Sequence, residues 1–271
     1  MTGADGQVGK ALRPRLPDAR FLGHNDLDVR NDSQARDLLR GADSVIHLAA
    51  MTNVDECERN PDLAHDVNGR GTQVVTQAAG SARVIYVSTD YVFDGTKLGA
   101  YTETDRARPI NAYGRSKLEG ERHVASRGGN LILRTSWVYG NGANFIRSIL
   151  RAAENRPVLD VVDDQRGRPT HADDIADALE FLCNHEVEGI LHLSGTGQSC
   201  SWADLAEYIT TLRGCSTRIE RIDSETYAAQ ASSIVAPRPA NSELALDKAV
   251  SIGLPLQDWR DAVHDYVKGL S

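Results

Sequence analysis

The chain has 271 residues, enough to bury a sizeable core in one large α/β domain or in a domain with a smaller appendage. Thirty basic residues against 38 acidic ones leave a net charge of -8, which argues against a nucleic-acid binder, because such surfaces neutralise phosphates with a basic excess. No apolar run approaches the roughly 18 residues of a membrane span, and the N-terminus lacks a signal-peptide pattern.

The four cysteines, Cys57, Cys183, Cys200 and Cys215, form no C-x-x-C pair and no cluster at metal-ligand spacing. A cytoplasmic protein with reduced thiols, no metal, no membrane and no nucleic-acid partner is therefore expected.

The chain opens with Gly3, Gly6 and Gly9 at G-x-x-G-x-x-G spacing. Such glycines permit a tight turn, close approach of a pyrophosphate to the backbone and close helix packing. The strand that should precede the loop is absent, although a doubly wound sheet has that strand at its centre. A chain start placed too late is the favoured explanation, and another segment filling the gap is the alternative. Phe21 and Leu22 would end the second strand. Asp26 lies near the spacing of an acid that binds a ribose 2′-hydroxyl, yet Gly23 and His24 at the strand end would not repel a 2′-phosphate. NADH and NADPH both stay open.

Further along, Ser33 to Leu39 reads as a helix with Ser33 near its cap, and Pro61 to Ala79 as another with Pro61 in the first turn. Asn111 is a plausible N-cap for a helix to about Ala125, terminated by Gly128 and Gly129. Helices are also expected over Asn144 to Glu154, His171 to Asn184, Ser201 to Leu212 and Asp258 to Val267. Between them, Val45 to Leu48, Val84 to Ser88, Leu131 to Arg134 and Ile190 to Leu193 are short apolar strand candidates. This alternation predicts an α/β, doubly wound parallel sheet of Rossmann type, without a linker to mark a second domain.

Tyr113 and Lys117 stand four apart, on one face of the Asn111-capped helix. A surface Tyr lying on a Lys stem would give the same spacing. Ser88-Thr89-Asp90 follows an apolar strand at the carboxyl end, where open α/β sheets place their ligands. Local turn capping by Ser88 and Thr89 is the alternative there.

At these residues the chain resembles the extended short-chain dehydrogenase/reductases, and within them the dTDP-4-dehydrorhamnose reductases. The resemblance runs almost end to end. It rests on Gly3-Ala4-Asp5-Gly6-Gln7-Val8-Gly9, Leu27-Asp28-Val29, the run from His47 to Asp55, and Val67-Asn68. It continues through Ser88-Thr89-Asp90-Tyr91-Val92-Phe93-Asp94-Gly95, Tyr113-Gly114-Arg115-Ser116-Lys117 and the run from Leu133 to Gly140. The runs Asp163 to Thr170 and Arg238-Pro239-Ala240-Asn241-Ser242 complete it. His47-Leu48 departs from the family's usual Asn and Ala, with a mild effect expected.

The resemblance implies that Gly3, Gly6, Gln7, Val8 and Gly9 hold the pyrophosphate of NADPH or NADH. It places Asp28 and Val29 at the adenine, Ala49 and Ala50 along the cofactor, Thr89 and Asp90 on the sugar, and Trp137 against the substrate. Residues 1–160, joined by segments from about 171–195, would form the cofactor domain, and 161–271 mainly an interleaved substrate region. A nucleotide sugar is the implied partner, and a homodimer the assembly left open.

The implied chemistry is hydride transfer to a keto carbon, with Tyr113 donating its proton to the developing alkoxide and Thr89 polarising the carbonyl. Lys117 would favour the phenolate, lowering the Tyr113 pKa from its ordinary value near 10, and would hydrogen-bond the nicotinamide ribose. Arg238 would meet the diphosphate, unless it is a solvated surface arginine. Epimerases and 4,6-dehydratases share the Gly loop and Tyr/Lys pair, but dehydratases carry Glu where this chain has Tyr91, and the Trp137 string is reductase-like. A regulatory subunit resembling the methionine adenosyltransferase β subunit is the non-enzymatic alternative; the joint presence of Tyr113, Lys117 and Thr89 argues for catalysis.

Overall fold

The computed structural model describes residues 1–270. Four parallel strands, Ser44–His47, Arg83–Thr89, Leu131–Thr135 and Gly189–Leu193, lie side by side in that order, each within one residue of the runs read from sequence. Their centres are apolar on both faces because both faces are covered. On one side Leu131, Leu133 and Leu191 pack with Ile175, Leu179 and Leu182. On the other, Val84, Tyr86 and Ile132 pack with Val75 and Val124.

The place of the expected first strand is occupied at its carboxyl end by Met1–Ala4. Leu22 N–H donates to Met1 O at 2.9 Å and Ala4 N–H to Leu22 O at 3.1 Å; on the opposite edge Thr2 N–H donates to Ile46 O at 3.0 Å. Thr2 thus makes parallel bridges to both Leu22 and His47. His47 reinforces this join. Thr72 Oγ1 gives its proton to Asn68 O at 2.6 Å, so it accepts from His47 Nε2 at 3.0 Å, and Nδ1 then accepts from Thr2 Oγ1 at 2.7 Å. Fully buried, and with Lys117 nearby, the imidazole is held neutral, its pKa pushed down to about 3.

Two helices differ locally from the reading. Asn31, not Ser33, caps Asp32–Leu39, its side chain accepting from Gln34 N–H at 3.1 Å, while Ser33 Oγ donates to Asn31 at 3.0 Å. The run read as one helix from Pro61 is Pro61–Ala64, a π-helical turn over His65–Arg70, then Gly71–Ala78. Asn111 caps Ala112–Ala125 as expected, and Gly129 follows at φ +79°.

Beyond the central sheet, Val158–Val162 pairs in parallel with Arg218–Ile222, and Leu159 and Val161 pack beneath Ala203 and Ala206 of the helix Trp202–Leu212. The chain then crosses back over residues 236–246. Ser242 N–H donates to Arg166 O at 2.8 Å, and Tyr101 N–H to Glu243 O at 2.7 Å.

Candidate active site

At the carboxyl ends of the strands lies a cleft of about 940 Å³, lined at one end by the Gly loop and at the other by Thr89, Tyr113, Lys117, Trp137 and Trp202. Ligands of open α/β sheets bind at this edge. Gly3 has φ +73°, and a Cβ there would lie 2.6 Å from Ala49 N; a Cβ on Gly9 would lie 2.6 Å from Gly3 O. The turn can close only without side chains. Gly6, Gln7 and Val8 also face the cleft, where the buried Gln7 Oε1 has no hydrogen-bond partner. A cradle free of side chains, which lets a phosphate approach the backbone closely, fits a dinucleotide pyrophosphate.

Asp28, Val29, Ala49 and Ala50 line the same end. Arg30, unremarked in the sequence reading, donates through Nε and Nη2 to the two carboxylate oxygens of Asp28 at 2.9 and 2.8 Å. These bonds hold the Asp28 carboxyl down at about 2. Asp26 is turned away: its carboxylate accepts Gly23 N–H at 2.8 Å, and it is not among the lining residues. His24 does line the cleft, with its N–H held by Asp5 Oδ2 at 3.1 Å.

At the reactive end, strand Arg83–Thr89 delivers Thr89 and helix Ala112–Ala125 delivers Tyr113 and Lys117 into one space. The turn-capping alternative holds for Thr89 as well: its Oγ1 accepts Tyr91 N–H at 3.2 Å while donating to Asp90 Oδ1 at 2.9 Å. Asp90 is buried with Oδ2 unpaired, and burial, partly offset by neighbouring hydroxyls, raises its pKa to about 7. Tyr113 meets Tyr91 edge to face, centroids 6.0 Å apart. Burial raises the Tyr113 pKa, the Asp90 charge adds to this, and the Thr89 hydroxyl opposes it. The expected lowering by Lys117 does not appear, because the Lys117 ammonium donates to Val87 O at 2.8 Å and lies 4.0 Å over the Tyr86 ring. Burial lowers the Lys117 pKa to about 7.

Behind this group Ser88 is not a turn cap. Its Oγ donates to Glu121 Oε1 at 2.6 Å, and Arg134 clasps both oxygens of Glu121 at 2.8 and 2.7 Å. All three are buried.

Trp137 adopts φ +47°, the only positive φ outside glycine among the described residues, and stacks on Trp202 at 3.5 Å and 5°. A strained non-glycine backbone persists where the surroundings enforce it, and a Cβ on Gly167 would stand 2.7 Å from the Trp137 ring. Trp202 escaped the sequence reading; its place after the Ser201 capping box marks a helix start but not which aromatic it meets. Arg238 is neither solvated nor in the cleft lining: Nη2 donates to Asp55 Oδ2 at 3.0 Å.

Among the described residues no group of His, Cys, Asp and Glu could hold a metal ion, and no helix is long and apolar enough to cross a membrane.

A "dTDP-4-dehydrorhamnose reductase" of Sinorhizobium fredii is 40% identical to the chain over 291 residues, covering 100% of this chain and 96% of that one. The crystal structure of a dTDP-4-dehydrorhamnose reductase from Clostridium acetobutylicum superposes with a TM-score of 0.91 at 32% identity, covering 98% of this chain and 97% of that one. Another, from Bacillus anthracis in complex with NADP, gives a TM-score of 0.91 at 31% identity over 100% of this chain and 98% of that one. The family model described as RmlD substrate binding domain matches residues 1–271, and the chain belongs to that family.

Proposed function

We propose that this chain reduces the 4-keto group of a dTDP-4-keto-6-deoxyhexose, dTDP-4-dehydrorhamnose in particular, using NADPH or NADH. The observation that carries the reading is the shared cleft: a side-chain-free Gly cradle at one end, Tyr113, Lys117 and Thr89 together at the other. The relatives' printed names supply the sugar nucleotide. When bound, the dihydronicotinamide supplies the hydride.

The protein's own groups handle the proton and the fit. Tyr113, kept protonated by burial, gives its phenolic proton to the keto oxygen as charge develops there. Thr89 donates a second hydrogen bond to that oxygen, released from Asp90 as the carbonyl arrives. Lys117, anchored on Val87 O, would hold the nicotinamide ribose by a hydrogen bond. Trp137 and Trp202 wall the sugar with apolar surface and exclude water. Tyr91 in place of an acid leaves no carboxylate at that position for dehydration, which favours reduction over elimination.

The test is oxidation of NADPH and of NADH at 340 nm with enzymatically prepared dTDP-4-dehydrorhamnose. Turnover to the 6-deoxyhexose nucleotide is expected. No oxidation with either cofactor, together with capture of a methionine adenosyltransferase subunit, would overturn the enzyme reading in favour of a regulatory one.

A further inference from the structure

The N-terminus of the helix that carries Tyr113 is held by an unusual number of partners. Asn111, fully buried, accepts Gly114 N–H through Oδ1 at 2.7 Å, and Glu58 accepts Ala112 N–H at 2.7 Å. Gly114 has no room for a side chain, since a Cβ there would lie 2.1 Å from Tyr91 O. The turn bearing Tyr113 is thus pinned to Tyr91 on one side and to the helix Val54–Arg59 on the other.

The same amide has a second job that capping does not need. Asn111 Nδ2 donates to Pro237 O at 2.8 Å, across 126 positions of sequence. On either side of Pro237, Asp55 accepts Ala236 N–H at 2.9 Å and the Arg238 guanidinium at 3.0 Å. Asp55 and Glu58 lie on one short helix, so residues 236–238 form a strap fastened to the elements that fasten the Tyr113 turn. Burial and the Asp90 charge raise the pKa of Tyr91, which lines the cleft, and the nearby Arg238 charge opposes them.

We propose that Asn111 is a positioning residue for the reaction, a single amide that fixes the turn carrying Tyr113 and seats the Ala236–Arg238 strap, so that substrate seating and proton-donor placement are set together. Ser or Asp would cap the helix equally well; the amide puts its acceptor for Gly114 N–H and its donor for Pro237 O on separate atoms, which a carboxylate or a single hydroxyl oxygen does not. The kinetic part rests on the reductase reading given above.

Asn111→Asp keeps the cap acceptor and replaces the donor with a carboxylate oxygen facing a carbonyl. Hydrogen–deuterium exchange of the full-length protein with NADPH alone should then show faster exchange over residues 231–241 and unchanged protection over 112–125. KM for the sugar nucleotide should rise about tenfold, the scale of one lost hydrogen bond, with NADPH affinity unchanged within about twofold. Asn111→Ser, which caps without repelling, serves if the Asp variant misfolds and should move the same readouts in the same direction. Parent-like exchange over 231–241 would overturn the seating of the strap, and faster exchange with an unchanged KM would overturn its coupling to the substrate. A parent protein that turns over no sugar nucleotide would count against the reductase reading, while the exchange comparison still decides whether Asn111 seats the strap.

Discussion

Lys117 directs its ammonium at the carbonyl of Val87, 2.8 Å away, in a space closed by the Tyr86 ring. Burial lowers its pKa to about 7, well below the value near 10.4 expected when unfolded. Between those values the unfolded chain binds more protons than the folded one, so stability rises with pH across that window and the contribution is complete above it. Lys117→Met should flatten the rise in Tm between pH 7 and 10, stabilise the fold at pH 7 and weaken cofactor binding. A parent Tm that falls steadily over this range, with the variant running parallel, would contradict the assignment.

Tyr113→Phe keeps the ring and its edge-to-face contact with Tyr91 and removes only the hydroxyl. Turnover should drop by about 10²–10⁴-fold, the usual worth of general acid catalysis, while NADPH affinity holds. Steady-state kinetics beside a fluorescence titration of NADPH would check both. Activity within about threefold of the parent would remove Tyr113 from the role.

Asp90 shifts the opposite way. Its folded pKa near 7 against about 3.9 unfolded means that the folded state holds the extra proton between those values, so stability falls as pH rises from about 4 to 7. Asn in its place cannot ionise. Asp90→Asn should therefore raise Tm at pH 8 more than at pH 4, and lower turnover because the acceptor of the Thr89 hydroxyl is changed. An equal shift in Tm at both pH values would mean that the carboxyl is not held protonated.

The cofactor end predicts NADPH use at least as good as NADH. Neither Gly23 nor His24 is acidic, Asp5 beside them is tied to His24 N–H, Asp26 faces Gly23 N–H, and Arg30 lines the cleft. Comparison of kcat/KM for the two cofactors checks this, and Asp26→Ala should leave the ratio unchanged within about twofold. A preference for NADH above about tenfold, or about 1.4 kcal/mol, would show that Asp26 reaches the ribose.

The sheet was legible because its strands are short with apolar centres, which periodicity and flanking turns detect directly. The π-turn at His65–Arg70 was not, since a helical pattern carries no mark of one widened turn. Asn31 displaced Ser33 as a cap because both are good caps two positions apart and only backbone geometry separates them. Tyr113, Lys117 and Thr89 could be found because helix spacing and strand ends are local. Asp55 with Arg238, and Trp202 with Trp137, pair residues 183 and 65 positions apart, and no local pattern brings such partners together.

The parallel indoles of Trp137 and Trp202 give the protein a built-in optical reporter. The chain has three tryptophans; the third, Trp259, is buried, its Nε1 bonded to Gln198 O at 2.8 Å, and lies outside the cleft lining. Two rings stacked 3.5 Å apart and nearly parallel couple their electronic transitions, so their near-ultraviolet dichroism is a property of the pair. Any molecule that parts or tilts them changes that signal without a label and without turnover, while Trp259 supplies a steady internal reference.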